Sequence, residues 1–302
     1  MKEGLLAVSS APAGPLGAEA EEENYSTGDA SLDNIRNQDN IGERELLAVS
    51  FGTSYNDSRR LTIGAIEEEM ERAFPEFSVR RAFTSQIILN HVRSRDGISM
   101  DNVKEALARA ADNGVKTLVI QPTHLMNGLE YHDLVAEASG HVELFEQVVI
   151  GDPLLTSERD FQLVMEAVTE ASAVYDDPDT AICLMGHGTE SAANQVYERL
   201  ENMLRRAGRS NYYVGTVEAN PGLEDVLTAV RRGVYRRVIL MPLMVVAGDH
   251  VNNDMAGDGE DSWKTAFEEA GYEVTCLMQG LGELEKIRRL FVDHARAAMD
   301  RL

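Results

Sequence analysis

Two histidines and one glutamate in this sequence have the residue types and surroundings of a metal site. His187 lies between two glycines after an apolar run, Glu218 follows the next such run, and His250 lies in a polar turn beyond a third. Two imidazole nitrogens and one carboxylate suit borderline divalent ions such as Co²⁺, Zn²⁺, Ni²⁺ or Fe²⁺. Three protein ligands also leave coordination positions open for a substrate.

The elements that must position these residues alternate between short apolar strands and amphipathic helices. Predicted strands cover residues 46–51, 77–83, 115–121, 145–150, 180–185, 212–217, 237–241 and 273–278. Predicted helices cover residues 58–74, 101–113, 131–140, 191–208, 222–233, 262–271 and 284–302. Such alternation indicates right-handed crossovers and mostly parallel sheets, whose ligands bind at the carboxyl ends of the strands.

An internal repeat divides the chain into two similar halves. Residues 47–53 align with 183–189, and residues 118–130 align with 238–250. Between these blocks, residues 79–83 can be laid on 214–218. The repeat predicts two α/β lobes, residues 44–176 and 177–302, that face each other across a cleft.

The repeat also pairs the metal-site candidates with residues of the first half. His187, Glu218 and His250 align with Phe51, Phe83 and Glu130. A single histidine at a strand end is more often a structural residue, but an aligned set at three strand ends favours function. We therefore expect the second half to supply metal ligands and the first half to offer substrate contacts through Phe51, Phe83 and Glu130. For Glu130, which lies in an apolar-to-polar turn, an ordinary turn residue is as strong an alternative as a role in binding substrate or supporting a ligand.

The remaining histidines have weaker claims. His124 and His132 are candidate neighbours of the site or ordinary loop residues, and His91, His141 and His294 are expected to be structural. The sequence contains no GxGxxG motif after any strand and no Walker loop, which disfavours nucleotide binding.

Composition excludes several classes of partner. The formal net charge of −23 repels nucleic acid and anionic membrane surfaces. No apolar run has the length of a membrane span, and the short apolar N-terminus disfavours an export signal.

The two cysteines lie in apolar runs, which indicates a reducing compartment and a cytoplasmic protein. Residues 1–43 are rich in Pro, Gly, Glu, Asn and Asp, which predicts a flexible acidic tail.

Four motifs together resemble one family. They are Leu-Ala-Val-Ser-Phe-Gly-Thr-Ser at 47–54, the 121–130 loop from Gln-Pro-Thr-His, Met-Gly-His-Gly at 185–188 and the 247–257 loop from Ala-Gly-Asp-His. This set is similar to the anaerobic sirohydrochlorin cobaltochelatases, class II chelatases related in fold to ferrochelatase. The resemblance extends from about residue 45 to the C-terminus.

The resemblance implies a chelatase-like pair of α/β lobes, a tetrapyrrole substrate and no requirement for ATP. The reaction implied is insertion of Co²⁺ into sirohydrochlorin or precorrin-2 with release of two protons, in anaerobic cobalamin biosynthesis. It implies His187, Glu218 and His250 as metal ligands, with His187 also the proton acceptor. A homo-oligomer is compatible with this reading.

Three alternatives stay open at this point. Iron or nickel could be the physiological metal, because divalent selectivity depends on geometry and supply more than on affinity. A carrier of metal or tetrapyrrole without catalysis could use the same fold. The substrate carboxylates need cations, for which Arg59, Arg60, Arg80 and Arg81 are candidates if they are not simply solvated charges.

Overall fold

The structure, a computed structural model, describes residues 27–302 of the 302-residue chain. These residues form two four-stranded sheets in which every strand pairing is parallel. The first sheet has the order β2-β1-β3-β4 and the second the order β6-β5-β7-β8. The strands are β1 (Arg44–Ser50), β2 (Ser78–Phe83), β3 (Thr117–Pro122), β4 (Gln147–Ile150), β5 (Thr180–Gly186), β6 (Tyr212–Thr216), β7 (Arg237–Pro242) and β8 (Glu273–Cys276). The identical order in both sheets confirms the predicted pair of similar α/β lobes.

Helices cover the faces of both sheets. In the first half they are α1 (Asn56–Arg59), a π-helical turn (Arg60–Gly64), α2 (Ala65–Ala73), α3 (Gln86–Asp96), α4 (Val103–Asp112), α5 (Leu129–Ser139) and α6 (Glu158–Ala171). In the second half they are α7 (Gln195–Arg206), α8 (Leu223–Val230), a second π-helical turn (Val251–Met255), α9 (Trp263–Glu269) and α10 (Glu285–Met299). Helices α3 and α6 were not predicted from the sequence. For α6, the capping box of Ser157 and Asp160 was the available signal.

The strand register corrects one part of the predicted repeat. In the first sheet Ser50 is paired with Phe83, and in the second Gly186 is paired with Thr216. The structural equivalent of Phe83 is therefore Thr216, whereas Glu218 corresponds to Ser85. The alignment of apolar runs was wrong by two residues because side chains alternate with a period of two, so a two-residue shift leaves the pattern of burial unchanged.

The C-terminal helix links the two lobes. Helix α10 packs against α2, β3 and β4 of the first lobe, and α6 packs against α7 of the second. One apolar cluster accordingly joins Leu46 of β1, Leu184 of β5 and Phe291 of α10. The predicted division at residue 176 does not hold for α10, because its apolar face is buried on the first lobe.

Residues 27–43, predicted as part of a flexible tail, pack against the first lobe. Thr27 accepts a backbone hydrogen bond from Asp57 at 2.8 Å, and Arg36 accepts one from Arg81 at 3.1 Å. Asp33 is buried, and its carboxylate accepts hydrogen bonds from Arg59 and Arg81. The charged residues of this segment favoured disorder in the sequence, but in the structure Asp33 forms ion pairs with buried arginines. Residues 1–26 of the predicted tail lie outside the described residues.

Three of the four arginines considered for substrate binding are buried in ion pairs. Arg59, Arg80 and Arg81 are each at most 1% exposed. Arg80 lies between Glu45 at 3.3 Å and Asp101 at 3.0 Å. The predictions that these three arginines bind substrate carboxylates or are solvated charges are both wrong. The sequence could not indicate their burial, because the carboxylates that pair with them come from distant parts of the chain.

Asp33 lies at the centre of one such cluster. Burial would raise the pKa of its carboxyl group, but hydrogen bonds and charge from Arg81 and Arg59 hold that pKa below the ordinary value. Arg81 also forms two bonds to the fully buried Glu67, at 2.8 and 2.7 Å. The carboxylate of Asp33 is therefore ionised at neutral pH and neutralises buried guanidinium groups.

The membrane-span and cysteine predictions concern residues that the structure describes. Among residues 27–302 no helix is both long and apolar enough to cross a bilayer. Cys183 and Cys276 are free thiols in β5 and β8, as their apolar surroundings predicted.

We predict that Arg81→Met destabilises the protein by about 3–5 kcal/mol, because it leaves the carboxylates of Asp33 and Glu67 without their shared buried cation. Urea unfolding followed by circular dichroism measures the change. The control is Arg72→Ala, which removes an exposed pair with Glu69 and should cost less than about 0.5 kcal/mol. Equal losses in the two variants would contradict the structural role of the cluster.

Candidate metal centre

His187 is held at the end of β5 by its two glycine neighbours. A Cβ atom at Gly186 would lie 2.1 Å from the ring of Tyr197, and one at Gly188 would lie 2.9 Å from the backbone nitrogen of Ala219. Gly188 also has a φ of +91°, which favours glycine. Its N–H donates to the Tyr197 hydroxyl at 3.2 Å. Larger residues on either side of His187 would push this strand end out of position.

Glu218 lies in the turn after β6 and next to His187. Its backbone N–H donates to the carbonyl oxygen of His187 at 2.9 Å, which continues the pairing of β5 and β6 by one step. The same turn is closed by Thr216, whose hydroxyl donates to the carbonyl oxygen of Ala219 at 2.6 Å. The backbone thus brings the two side chains to the same edge of the sheet, where the Glu218 side chain is exposed.

His250 begins the π-helical turn beyond β7. Its Nδ1 lies 2.8 Å from Oδ2 of Asp254, one turn further along the chain. A carboxylate in this place accepts the Nδ1–H and assigns the tautomer whose Nε2 carries the free lone pair. That Nε2 lies 4.0 Å from Oε1 of Glu218. Asp254, which sequence analysis did not single out, therefore aims His250 at Glu218.

The three side chains converge. One donor atom from each of His187, Glu218 and His250 lies within 4.8 Å of the other two. Nδ1 of His187 is 3.7 Å from Oε2 of Glu218, and the two imidazole rings have centroids 4.7 Å apart at an interplanar angle of 85°. Ligand atoms around a bound ion at ordinary bond lengths lie about 3–3.5 Å apart. A small inward movement of exposed side chains would therefore form a coordination site with one open side.

The first-lobe residues paired with this set by sequence have different environments. Phe51, the counterpart of His187, is 45% exposed, whereas Phe83 is fully buried. The ring of Phe83 lies under Gly52, where a Cβ atom would come within 2.6 Å of it. The expectation that Phe83 faces a substrate is wrong for this structure, because the strand register turns it into the first lobe.

Glu130 lies at the start of α5, as the counterpart of His250. The surrounding protein displaces solvent and raises the pKa of its carboxyl group, the charge of His187 lowers it, and Asp133 and Glu218 add to the rise. The interaction with His187 and Glu218 brings Glu130 into the electrostatic environment of the second-lobe cluster. It is not a member of the cluster of close donor atoms.

Two exposed apolar residues of the first lobe were missed by the sequence analysis. Ile87 is 82% exposed in the first turn of α3, and Leu129 is 62% exposed at the start of α5. Ile87 follows β2 and Leu129 follows β3, the two strands that flank β1, and Phe51 lies at the carboxyl end of β1. The signal was their position directly after a strand, but apolar periodicity alone assigns such residues to a core.

The other histidines are separate from the cluster. His124 is buried, its ring makes no hydrogen bond to any described residue, and burial lowers its pKa to about 4, so it is neutral. His132 is exposed on α5. His294 contacts Asp160 at 3.2 Å, in keeping with the structural role expected for it.

Comparison with solved structures supports the fold. The chain resembles SirB from Bacillus subtilis with Fe³⁺, at a TM-score of 0.58 and 11% identity over 85% of this chain and 96% of that one. It also resembles CbiX, described as the terminal enzyme for siroheme biosynthesis in denitrifying bacteria, at a TM-score of 0.51 and 19% identity over 84% and 99%. At these identities the likeness establishes the two-lobe architecture alone.

Comparison of sequences is more specific. The chain is 38% identical to a sirohydrochlorin cobaltochelatase of Salmonella typhimurium, over 85% of this chain and 97% of that protein. It is 31% identical to the sirohydrochlorin cobaltochelatase CbiKC of Nitratidesulfovibrio vulgaris, over 90% and 97%. The sequence model of the cobalt chelatase (CbiK) family matches residues 44–300, which include every residue of the candidate metal centre. This chain belongs to the cobalt chelatase (CbiK) family.

Proposed function

We propose that this protein inserts Co²⁺ into sirohydrochlorin without ATP, with His187, Glu218 and His250 as the metal ligands. The observation that carries the proposal is the cluster of their donor atoms, within 4.8 Å of one another, in a member of the cobalt chelatase family. The relatives named for this substrate align over most of the chain. The reaction places it in the anaerobic route to cobalamin.

The metal is held on the second lobe. His250 presents Nε2, because Asp254 holds the opposite side of the ring at 2.8 Å. In the observed conformation, Nδ1 of His187 lies 2.9 Å from the carbonyl oxygen of Gly188, which leaves its Nε2 for the ion or for a proton. The carboxylate of Glu218 has one oxygen near each ring and would balance one charge of the ion. Three protein ligands leave the remaining positions for water and then for pyrrole nitrogens.

Insertion replaces two pyrrole protons by one divalent ion, so two protons must leave the ring. We assign the first acceptance to His187, whose imidazole is half-exposed at the strand end and belongs to the side-chain type that most often serves as a general base. Glu218, exposed beside it, passes protons to solvent. General-base assistance of this kind contributes about 10²–10⁴-fold in rate.

The ring is seated against the first lobe. Phe51, Ile87 and Leu129 expose apolar surface at the carboxyl edge of the first sheet, which suits the face of a macrocycle. Glu130, next to Leu129 at the start of α5, interacts electrostatically with His187 and Glu218 of the metal cluster. A cleft that bends the ring toward the ion exposes the nitrogen lone pairs and lowers the barrier.

Three further parts of the proposal concern energy supply, location and assembly. We propose that ATP is not required, as membership of the cobalt chelatase family implies. A cytoplasmic location and a homo-oligomeric state stay predictions.

The proposal is tested with purified protein, Co²⁺ and sirohydrochlorin under anaerobic conditions. We expect a change in visible absorption on metallation with multiple turnovers, which His187→Ala combined with His250→Ala abolishes. The control is His141→Ala, which removes an imidazole on the outer side of the first lobe. Binding of one ring or ion per chain without turnover would identify a carrier instead, and unchanged turnover in the double variant would contradict the assigned ligands.

Metal preference is tested by competition. With Co²⁺, Fe²⁺ and Ni²⁺ at equal concentrations, we expect the cobalt product to dominate, because the sequence model that matches this chain is that of the cobalt chelatases. Mass spectrometry of the extracted rings measures the ratio. A dominant iron product would assign a ferrochelatase that uses the same mechanism.

The role of Asp254 gives a separate prediction. Asp254→Asn should weaken Co²⁺ binding by about 10–100-fold, because the residue orients His250 without binding the ion itself. Titration with Co²⁺, followed by calorimetry, measures the effect. Asp258→Asn removes the same charge from a strongly exposed position paired with Lys264 and should leave the affinity within twofold. Equal effects of the two substitutions would indicate that only net charge matters.

A further inference from the structure

A segment that belongs to neither sheet is connected to the metal loop by a chain of buried contacts. Residues 27–36, here called the N-terminal strap, lie against α1 and β2 of the first lobe. We propose that Asp33 of this strap is a positioning residue for the metal centre, which it supports through Arg59 and the 53–58 loop. This inference rests on the metal role proposed for His250.

The first link is the pair of Asp33 and Arg59. Oδ2 of Asp33 accepts a hydrogen bond from Nε of Arg59 at 2.6 Å, and both side chains are buried. The same carboxylate accepts two bonds from Arg81, at 2.6 and 3.1 Å. Arg59 is therefore fixed from the strap side, and its remaining donors face the first lobe.

The second link runs from Arg59 to the loop after β1. Nη1 of Arg59 donates to the carbonyl oxygen of Thr53 at 3.2 Å, and Nη2 donates to Oδ1 of Asn56 at 2.6 Å. These bonds help to set the path of residues 53–58, together with buried Tyr55 and the bond from Arg95 to the carbonyl oxygen of Ser54. The strap also contacts this loop directly, through the bond from Asn56 to the carbonyl oxygen of Gly28 at 3.2 Å.

The third link crosses from the first lobe to the second. The hydroxyl of Ser58 accepts a hydrogen bond from the backbone N–H of Ala247 at 2.9 Å. Gly248 packs so closely that a Cβ atom there would lie 3.0 Å from Oγ1 of Thr53. These two residues immediately precede the turn that carries His250. The 53–58 loop is thus the support on which the metal loop rests.

Loss of this support would affect the metal site by changing the position of His250. Nε2 of His250 is 4.0 Å from Glu218, and ion binding requires that this gap close rather than widen. Removing the charge of Asp33 leaves Arg59 without its buried carboxylate, so the loop it holds is free to shift. A displacement of His250 by a fraction of an ångström weakens binding of the ion more than it lowers the stability of the fold.

The most direct test is Ser58→Ala, which removes the cross-lobe hydrogen bond and little else. We expect the Kd for Co²⁺ to rise about 3–10-fold, below the full effect of a residue that touches a ligand. The KM for Co²⁺ in the insertion assay should rise by the same factor, while kcat changes less than twofold. Ser58→Thr keeps the hydroxyl and should restore the wild-type affinity.

Asp33→Asn should weaken Co²⁺ binding in the same direction. Its matched control is Asp101→Asn, which removes a buried carboxylate from Arg80 at 3.0 Å and Arg109 at 2.7 Å, in a cluster that does not contact the metal loop. The control should lose stability but keep its Kd within twofold. Measurements are made at a temperature where circular dichroism shows each variant folded.

Wild-type affinity in Ser58→Ala would overturn the proposal, as would an equal loss of affinity in Asp101→Asn. If Asp33→Asn does not fold, Arg59→Lys takes its place, because it keeps the charge beside Asp33 but loses the bonds to Thr53 and Asn56; an unchanged Kd in that variant would also overturn the proposal. Failure of the proposed function is separable, because it appears as absent insertion by the wild-type protein. The Kd values for Co²⁺ are measured without the ring and test the strap independently.

Discussion

The parallel pairing of β5 with β6 on one side and β7 on the other is the interaction on which the metal centre depends. It aligns the carboxyl ends of three strands at one edge, and the pairing continues past β6 through the bond from Glu218 to His187. Residues that are distant in sequence thereby meet without any loop having to reach across the lobe. The glycines on either side of His187 let the strand end approach Tyr197 and Ala219 closely enough for this to happen.

The first lobe repeats the same register with different chemistry. Its strand order and pairing match those of the second lobe, but exposed apolar side chains and Glu130 occupy the positions around its carboxyl edge. In the proposed function, one lobe holds the ion and the other contacts one face of the macrocycle. The shared apolar cluster and helix α10 pack the two lobes against each other, so the two surfaces keep a fixed relation.

Much of this arrangement could be predicted from the sequence, because strands buried on both faces appear as continuous apolar runs. The order of these runs along the chain indicates the two lobes. His187 and His250 were identifiable because each follows a predicted strand in a repeated block. The misplacement of Phe83 shows the limit: a period of two cannot distinguish a register from one shifted by two residues. Only the backbone pairing of Phe83 with Ser50 resolves it.

Charged residues were the least predictable. Composition assigned residues 27–43 to a flexible tail and the arginines to the surface, since the partners that bury them are far away in sequence. Asp33 and Arg81 are 48 positions apart, and no local pattern connects them. The role of Asp254 was also not predictable, because it depends on the direction of the His250 ring next to a π-helical turn.

The central claim is that His187, Glu218 and His250 bind the cobalt ion. X-ray absorption at the cobalt edge, measured on the protein with one equivalent of Co²⁺ and no ring, tests it most directly. We predict two imidazole nitrogens and carboxylate oxygen at about 2.0–2.2 Å, with the imidazole signal lost in His187→Ala combined with His250→Ala. A coordination shell of oxygen atoms alone, unchanged in the double variant, would contradict the account.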